Sequence, residues 1–387
     1  ISLSMVTKII NYSHQSIDNN DLKSVNKAIN SGILTQGKEV KIFENKLKNY
    51  FSSKYASAVS SGTAALHLTS SALGWKKNDF IVTTPLTFIA TANSILYKQA
   101  NPIFVDTNLN DYQLDLNQLE TKLKKNKKIK AVIAVDYAGN PCDWINLKYL
   151  SNKYSFKLIN DNCHALGAKY KGQKNYATMY ADVVTQSFHP LKNITTGEGG
   201  AILTNDISIF NKVSKLRNHG IESSKSKNYW DKEVKELGFN YRLTEFQAAL
   251  GTSQLNKVDY LIKKKQSVAK KYNEYFKEID HIKTPPVRKN CYHAYHLYPL
   301  LIDFKKLHLD KSSLMNYFIK NNFRLQVHYK PIHTYSLYKK LFKFKKNDFP
   351  VSTKFFNDEI SLPIFPGFSN NIQTRFIDLF DKFFKNR

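Results

Sequence analysis

From Ile81 onward, six short runs of β-branched and apolar residues recur along the chain: IVTT (81–84), PIFVD (102–106), AVIAVDY (131–137), FKLIND (156–161), VVTQSF (183–188) and AILTN (201–205). Longer stretches separate them. Two of these, Leu114 to Leu123 and Leu147 to Tyr154, carry apolar residues every three or four positions. Buried strands alternating with amphipathic helices bury both faces of a sheet when the helices cross over between parallel neighbours. The expected fold is therefore α/β, with a mostly parallel central sheet. Ligands of such sheets bind beyond the carboxyl ends of the strands, which directs attention to the polar residues that close each run. After Gly251 the pattern becomes lysine-rich and helical, from Gln254 to Ile279, and then breaks at Pro285 and Pro286. A chain of 387 residues can hold more than one core. We expect a large domain over 1–250 and a smaller C-terminal α/β domain over 251–387, with no internal repeat.

The net charge of +27 first suggests a polyanionic partner. The kind of base argues otherwise. Only Arg217, Arg242, Arg288, Arg324, Arg375 and Arg387 are arginines among 58 basic residues, and bidentate readers of phosphates and base edges are mostly arginine. Lysines such as Lys122, Lys124, Lys125 and the run Lys263–Lys265 fall in helical patterns and read as solvated faces. No nucleic-acid partner is expected, and attraction of a phosphorylated small substrate is the simpler consequence. No run of about 20 apolar residues occurs, so no membrane partner is expected. Cys142, Cys163 and Cys291 form neither a disulfide framework nor a zinc pattern, as suits a reducing cytoplasm. The N-terminus lacks a basic stretch followed by an apolar one, so no secretory signal is expected.

The segment most telling of chemistry is Ser187-Phe188-His189-Pro190-Leu191-Lys192-Asn193-Ile194-Thr195-Thr196-Gly197-Glu198-Gly199-Gly200. It places a lysine in a loop after one strand and a glycine-rich turn before the next. A lysine there could form a Schiff base with an aldehyde cofactor, pyridoxal phosphate, and shuttle a proton once freed. Taken alone, Lys192 is also describable as one more surface lysine. Asp161 closes the strand FKLIND, where a carboxylate could hold a pyridinium nitrogen protonated or simply cap the next helix. His164 could lie beside the cofactor ring or be a satisfied buried histidine. Ser61-Gly62-Thr63 precedes an apolar run, so it could hold a phosphate at a helix N-terminus or act as an ordinary cap.

Together SGTAAL (61–66), PLTFIATANSI (85–95), DNCHALGA (161–168), SFHPLKNITTGEGGAILTND (187–206) and NYRLTEFQAALG (240–251) resemble the DegT/DnrJ/EryC1/StrS family of sugar aminotransferases. The resemblance extends over nearly the whole chain. It implies the aspartate-aminotransferase architecture, PLP-dependent fold type I, in a homodimer with a shared active site. It further implies Lys192 as the Schiff-base lysine and Asp161 as the partner of the pyridine nitrogen. Gly62, Thr63 and Ser187 would hold the phosphate, helped by Asn240 from the other subunit. Phe88 would stack on the cofactor, and His164 would lie near its ring hydroxyl. Asn160 stands where Glu is common in the family, and Asn162-Cys163 replaces a pair of small residues.

Local likenesses in VDYAGNP (135–141), CHALG (163–167), QVHYKPIHTYSLY (326–338) and EISLP (359–363) point to the branch that aminates a UDP-sugar for pseudaminic acid in bacteria. By family habit the amino donor is L-glutamate. Arg242, His328 and Tyr329, with the loop Thr35–Lys38, are expected near the sugar nucleotide. A dehydratase class within the family carries His in place of the lysine, and this chain has Lys192. A non-enzymatic polyanion binder would not need Lys192, Asp161 and Asn240 together. No HExxH or Cys/His cluster points to a metal.

Overall fold

The computed structural model describes residues 9–223, 228, 230–345 and 347–385. Residues 1–8, which bear on the secretory-signal reading, lie outside the described residues. Seven strands build the central sheet: β1 (Tyr55–Val59), β2 (Phe80–Thr83), β3 (Asn101–Phe104), β4 (Ile129–Val135), β5 (Lys157–Asp161), β6 (Val183–Ser187) and β7 (Gly200–Thr204). They lie in the order β1-β7-β6-β5-β4-β2-β3. Strands β2 to β6 pair in parallel, while β7 runs antiparallel to both β1 and β6. The reversal has a local cause. No helix separates β6 from β7, and without a crossover the chain can only turn back beside itself. That turning loop carries Lys192. All six expected runs are strands, shifted at most by two residues at an end. The strand β1, YASAV, is an addition whose small residues gave little β signal.

The crossover helices include α1 (Gly62–Ala72), α2 (Ile89–Leu96), α3 (Leu116–Lys125) and α4 (Trp144–Tyr154). Helix α3 is capped by Asp115 and buries Leu119 and Leu123, and α4 is capped by Asp143 and buries Leu147 and Leu150. The lysine-rich pattern divides into α5 (Glu245–Asn256) and α6 (Val258–Phe276) at Lys257. The run Lys263–Lys265 also divides. Lys263 and Lys264 are exposed as expected, but Lys265 is 1% exposed, because its position falls on the inward stripe with Leu261, Ile262 and Val268.

A second sheet joins β8 (Ile282–Lys283), β9 (Tyr298–Ile302) and β10 (Glu359–Leu362) in antiparallel order, with α7 (Lys311–Lys320) and α8 (Asn370–Lys385) nearby in the chain. There are two main apolar cores. One gathers Val132, Leu147, Leu158, Val184 and Leu203 around the central sheet, and the other gathers Leu300, Phe318, Phe376 and Phe380. Helix α6 enters both, through Leu261 and Ile262 at one end and Tyr272 and Phe276 at the other. No helix among the described residues is long and apolar enough to cross a membrane.

Candidate active site

A cavity of about 510 Å³ opens at the carboxyl ends of the central strands. Its walls are the residues with which strands end and helices begin. Ser61 follows β1, and its Oγ accepts the Ala64 N–H at 3.0 Å, starting α1. Gly62 and Thr63, in the first turn of α1, line the cavity beside Ser61. First-turn N–H groups have no acceptor within their helix, which favours an anion there. Ser187, the last residue of β6, stands against this turn so closely that a Cβ on residue 62 would come 2.7 Å from its Cβ. Glycine at 62 is thus a packing requirement.

Asp161 ends β5 and is 4% exposed. Its Oδ2 accepts Thr91 Oγ1 at 2.7 Å and its Oδ1 accepts the Cys163 N–H at 3.3 Å. Thr91 is itself paired with Thr87 Oγ1 at 2.9 Å, four residues back and just ahead of the start of α2. Phe88, the residue before α2, lines the cavity and is half exposed, with its ring centroid 5.8 Å from that of Tyr329. Asn160 and Asn162 face away from the cavity: both donate to Asp136 Oδ2, at 3.1 and 2.8 Å. Strand alternation turns them to the side opposite Asp161, so these departures from the family pattern serve a buried hub around Asp136.

Lys192 is held by its loop, where its N–H donates to His189 O at 2.9 Å and the next residue, Asn193, donates to Leu166 O at 2.8 Å. Its Nζ lies 3.5 Å from His296 Nε2. Burial lowers the pKa of the Lys192 amine, with Cys163 and Asp161 opposing. The His164 and His296 rings lie 4.3 Å apart with their planes tilted by 50°, and both are pushed well below the ordinary imidazole range by burial and then by the charge of Lys192. Neutral His164 accepts the Ala138 N–H through Nδ1 at 3.3 Å, which leaves Nε2–H to donate to Tyr329 Oη at 3.2 Å. His328 lines the cavity, with its Nδ1 2.8 Å from Ser361 Oγ.

Nine of the expected residues therefore share one cavity, from Gly62 and Thr63 to His328 and Tyr329. Two do not line it. Asn240 is exposed, and Arg242 donates to Asn218 Oδ1 at 2.6 Å. The loop Thr35–Lys38 also lies elsewhere, with Glu245 accepting the Gly37 and Glu39 N–H groups at 2.9 and 2.7 Å. Sequence reasoning missed Thr91, His296 and Tyr12, all of which line the cavity. The i, i+4 pair Thr87–Thr91 was a usable signal, but His296 and Tyr12 sit in no motif and arrive only through the fold.

The architecture aligns with that of solved aminotransferases. Helicobacter pylori PseC, described as an aminotransferase involved in the biosynthesis of pseudoaminic acid, matches with a TM-score of 0.91 and 34% identity, over 98% of this chain and 100% of that one. The fold class is the PLP-dependent transferase fold type I. The profile of the DegT/DnrJ/EryC1/StrS aminotransferase family matches residues 15–381, and the chain belongs to that family. It is a sugar aminotransferase. The UDP-4-amino-4,6-dideoxy-N-acetyl-beta-L-altrosamine transaminase of Campylobacter jejuni strain 81-176 is 39% identical over 356 residues, 92% of each chain. The GDP-perosamine synthase of Vibrio cholerae is 33% identical over 353 residues, 91% of this chain and 93% of that one.

Proposed function

We propose that this protein moves an amino group from L-glutamate to C4 of a UDP-linked 4-keto-6-deoxy-N-acetylhexosamine, giving UDP-4-amino-4,6-dideoxy-N-acetyl-β-L-altrosamine, with pyridoxal phosphate as cofactor. The observation that carries the reading is the meeting, in one strand-end cavity, of a lysine with depressed basicity, a buried carboxylate and a helix N-terminus. The choice of sugar is supported by the 39% identity to the altrosamine transaminase.

The residues fit that cofactor. The first turn of α1 with Thr63 and Ser187 suits its phosphate, Asp161 suits a protonated ring nitrogen, and Phe88 offers an aromatic face. When bound, the cofactor supplies an aldehyde that condenses with amines and a ring that accepts the electron pair left by a departing proton. Lys192 Nζ would hold the cofactor, and its depressed basicity lets it take up a proton at Nζ and return it to a carbon. The Thr91 hydroxyl keeps Asp161 Oδ2 oriented and hydrogen-bonded. His164 and His296, being neutral, add no positive charge that would compete for Asp161. Asn240, exposed on its own subunit, would complete the phosphate site of a partner in a homodimer, and His328 and Tyr329 would face the sugar nucleotide.

The test is the absorption spectrum of the protein with pyridoxal phosphate, before and after addition of the UDP-4-amino sugar. Conversion of the lysine-bound band to that of pyridoxamine phosphate supports cofactor, reaction and sugar together. A band that ignores this sugar but yields to glutamate leaves an aminotransferase of another nucleotide sugar, the 33% identity to a GDP-perosamine synthase making a GDP-linked sugar the next to try. No band at all removes the cofactor.

A further inference from the structure

Strand β10 places Glu359 and Ser361 two residues apart, hence on the same side of the sheet, and both are fully buried. They form a chain to the cavity. Glu359 Oε1 lies 2.5 Å from Ser361 Oγ, Ser361 Oγ lies 2.8 Å from His328 Nδ1, and Glu359 Oε2 accepts the His328 N–H at 2.9 Å. With Nδ1 engaged, Nε2 is the ring nitrogen of His328 left for the cavity that this residue lines.

We propose that the Glu359–Ser361 pair selects the tautomer of His328, and thereby presents Nε2–H as a hydrogen-bond donor to an acceptor oxygen of the bound substrate. Ser361 has one hydroxyl hydrogen and two close partners, so it donates to one and accepts from the other. If Glu359 is protonated, Oε1–H donates to Ser361, Ser361 donates to Nδ1, and the imidazole proton sits on Nε2. If Glu359 is ionised, Ser361 must donate to it, Nδ1–H must donate to Ser361, and Nε2 becomes an acceptor. One proton on a carboxyl outside the cavity thus reverses the polarity of an atom inside it. Burial pushes Glu359 up to about 8, with Ser361, the His328 N–H and Lys311 opposing, so near neutrality it carries its proton. His328 itself is pushed down to about 3 by burial and by Lys192, so it stays neutral and only its tautomer is in question.

The other groups around the pair and His328 are Lys311 of α7, whose Nζ donates to Phe356 O at 2.7 Å, Tyr137, whose hydroxyl donates to His328 O, Tyr12, Tyr329, Lys192, and His164 and His296, which burial keeps neutral. Burial raises all three phenols above their ordinary range, so they remain neutral. Lys192 and Lys311 are lowered from the ordinary lysine range by burial, so the experiment must separate their effect from that of Glu359.

The role given to the substrate rests on the cavity taking a sugar nucleotide, but the tautomer does not, and it is read first. In ligand-free protein with ¹⁵N-labelled histidine, the His328 signals, identified by their loss in His328→Gln, should report Nε2–H near pH 7 and Nδ1–H near pH 9.5. Glu359→Gln, whose amide NH₂ donates to Ser361 permanently, should hold the Nε2–H form at both. In turnover, the KM for the UDP-sugar in the wild type should rise about fivefold over this range, the loss of roughly one neutral hydrogen bond, with a smaller change for glutamate. The rise should vanish in Glu359→Gln. A wild-type tautomer that does not change, or one that changes equally in Glu359→Gln, overturns the proposal. A switch that leaves the KM flat overturns the substrate contact. If no sugar nucleotide is turned over, the substrate reading fails while the tautomer result still decides the pair.

Discussion

Replacing Lys265 by methionine should stabilise this protein near neutral pH and lose that benefit in alkali. Lys265 is buried on α6, and its Nζ donates to Asn193 Oδ1 at 2.9 Å, beside Lys192. Burial first, then the charge of Lys192, pushes its amine from 10.5 down to about 7. Such a depression disfavours the charged form by about 5 kcal/mol. The sign follows from linkage. In strong alkali the amine is neutral whether the chain is folded or not, so nothing is lost. As the pH falls from about 10.5 towards 7, the unfolded chain takes up a proton that the folded chain refuses, and stability drops until the folded amine also protonates. Methionine matches the stem of lysine and removes that penalty, at the cost of an unpaired Asn193 oxygen worth about 1–3 kcal/mol. The expected net effect is a gain of about 2–4 kcal/mol near pH 7, shrinking to none or to a loss near pH 10, where only about 1 kcal/mol of penalty remains. Urea midpoints of the two proteins at these two pH values give the answer. A loss at neutral pH, or an equal gain at both, would refute the reasoning.

Lys192→Ala should retain bound cofactor but lose both half-reactions with glutamate and with the sugar, and substantial residual turnover in stopped-flow assays would remove the assignment of Lys192. Thr91→Val takes away the donor to Asp161 Oδ2, and cofactor affinity by absorbance titration should fall about tenfold, the scale of a hydrogen bond to a charged group. Unchanged affinity would mean that Asp161 needs no such partner. Replacing His328 by asparagine should raise the KM for the sugar nucleotide more than that for glutamate, and equal effects would move His328 away from the sugar. Gly200→Ala puts a Cβ 2.8 Å from Gln186 O and against Ser61 O, so thermal unfolding should reveal a loss of about 1–3 kcal/mol, and an unchanged midpoint would show that the sheet yields there.

Much of the fold was legible because strands buried on both faces must be written as apolar runs, and crossover helices as three- and four-residue spacings. Asp161 and Ser187 were readable from their places at the ends of such runs, and Lys192 from the loop that follows one. Less was visible where the signal lay in partners distant in the chain. The edge strand Tyr55–Val59 is made of small residues, and Lys265 looked like its neighbours Lys263 and Lys264 although only it points inward.

The sequence by itself determined the alternation of strands and helices and the residues that close the central strands, since these depend on local composition and spacing. Tertiary structure alone decided that His296 stands 3.5 Å from Lys192 across 104 residues, that Asn160 and Asn162 turn to Asp136, and that Glu359 reaches His328 through Ser361. Those contacts depend on which surfaces pack together when two apolar cores close along α6, and no stretch of chain encodes them on its own.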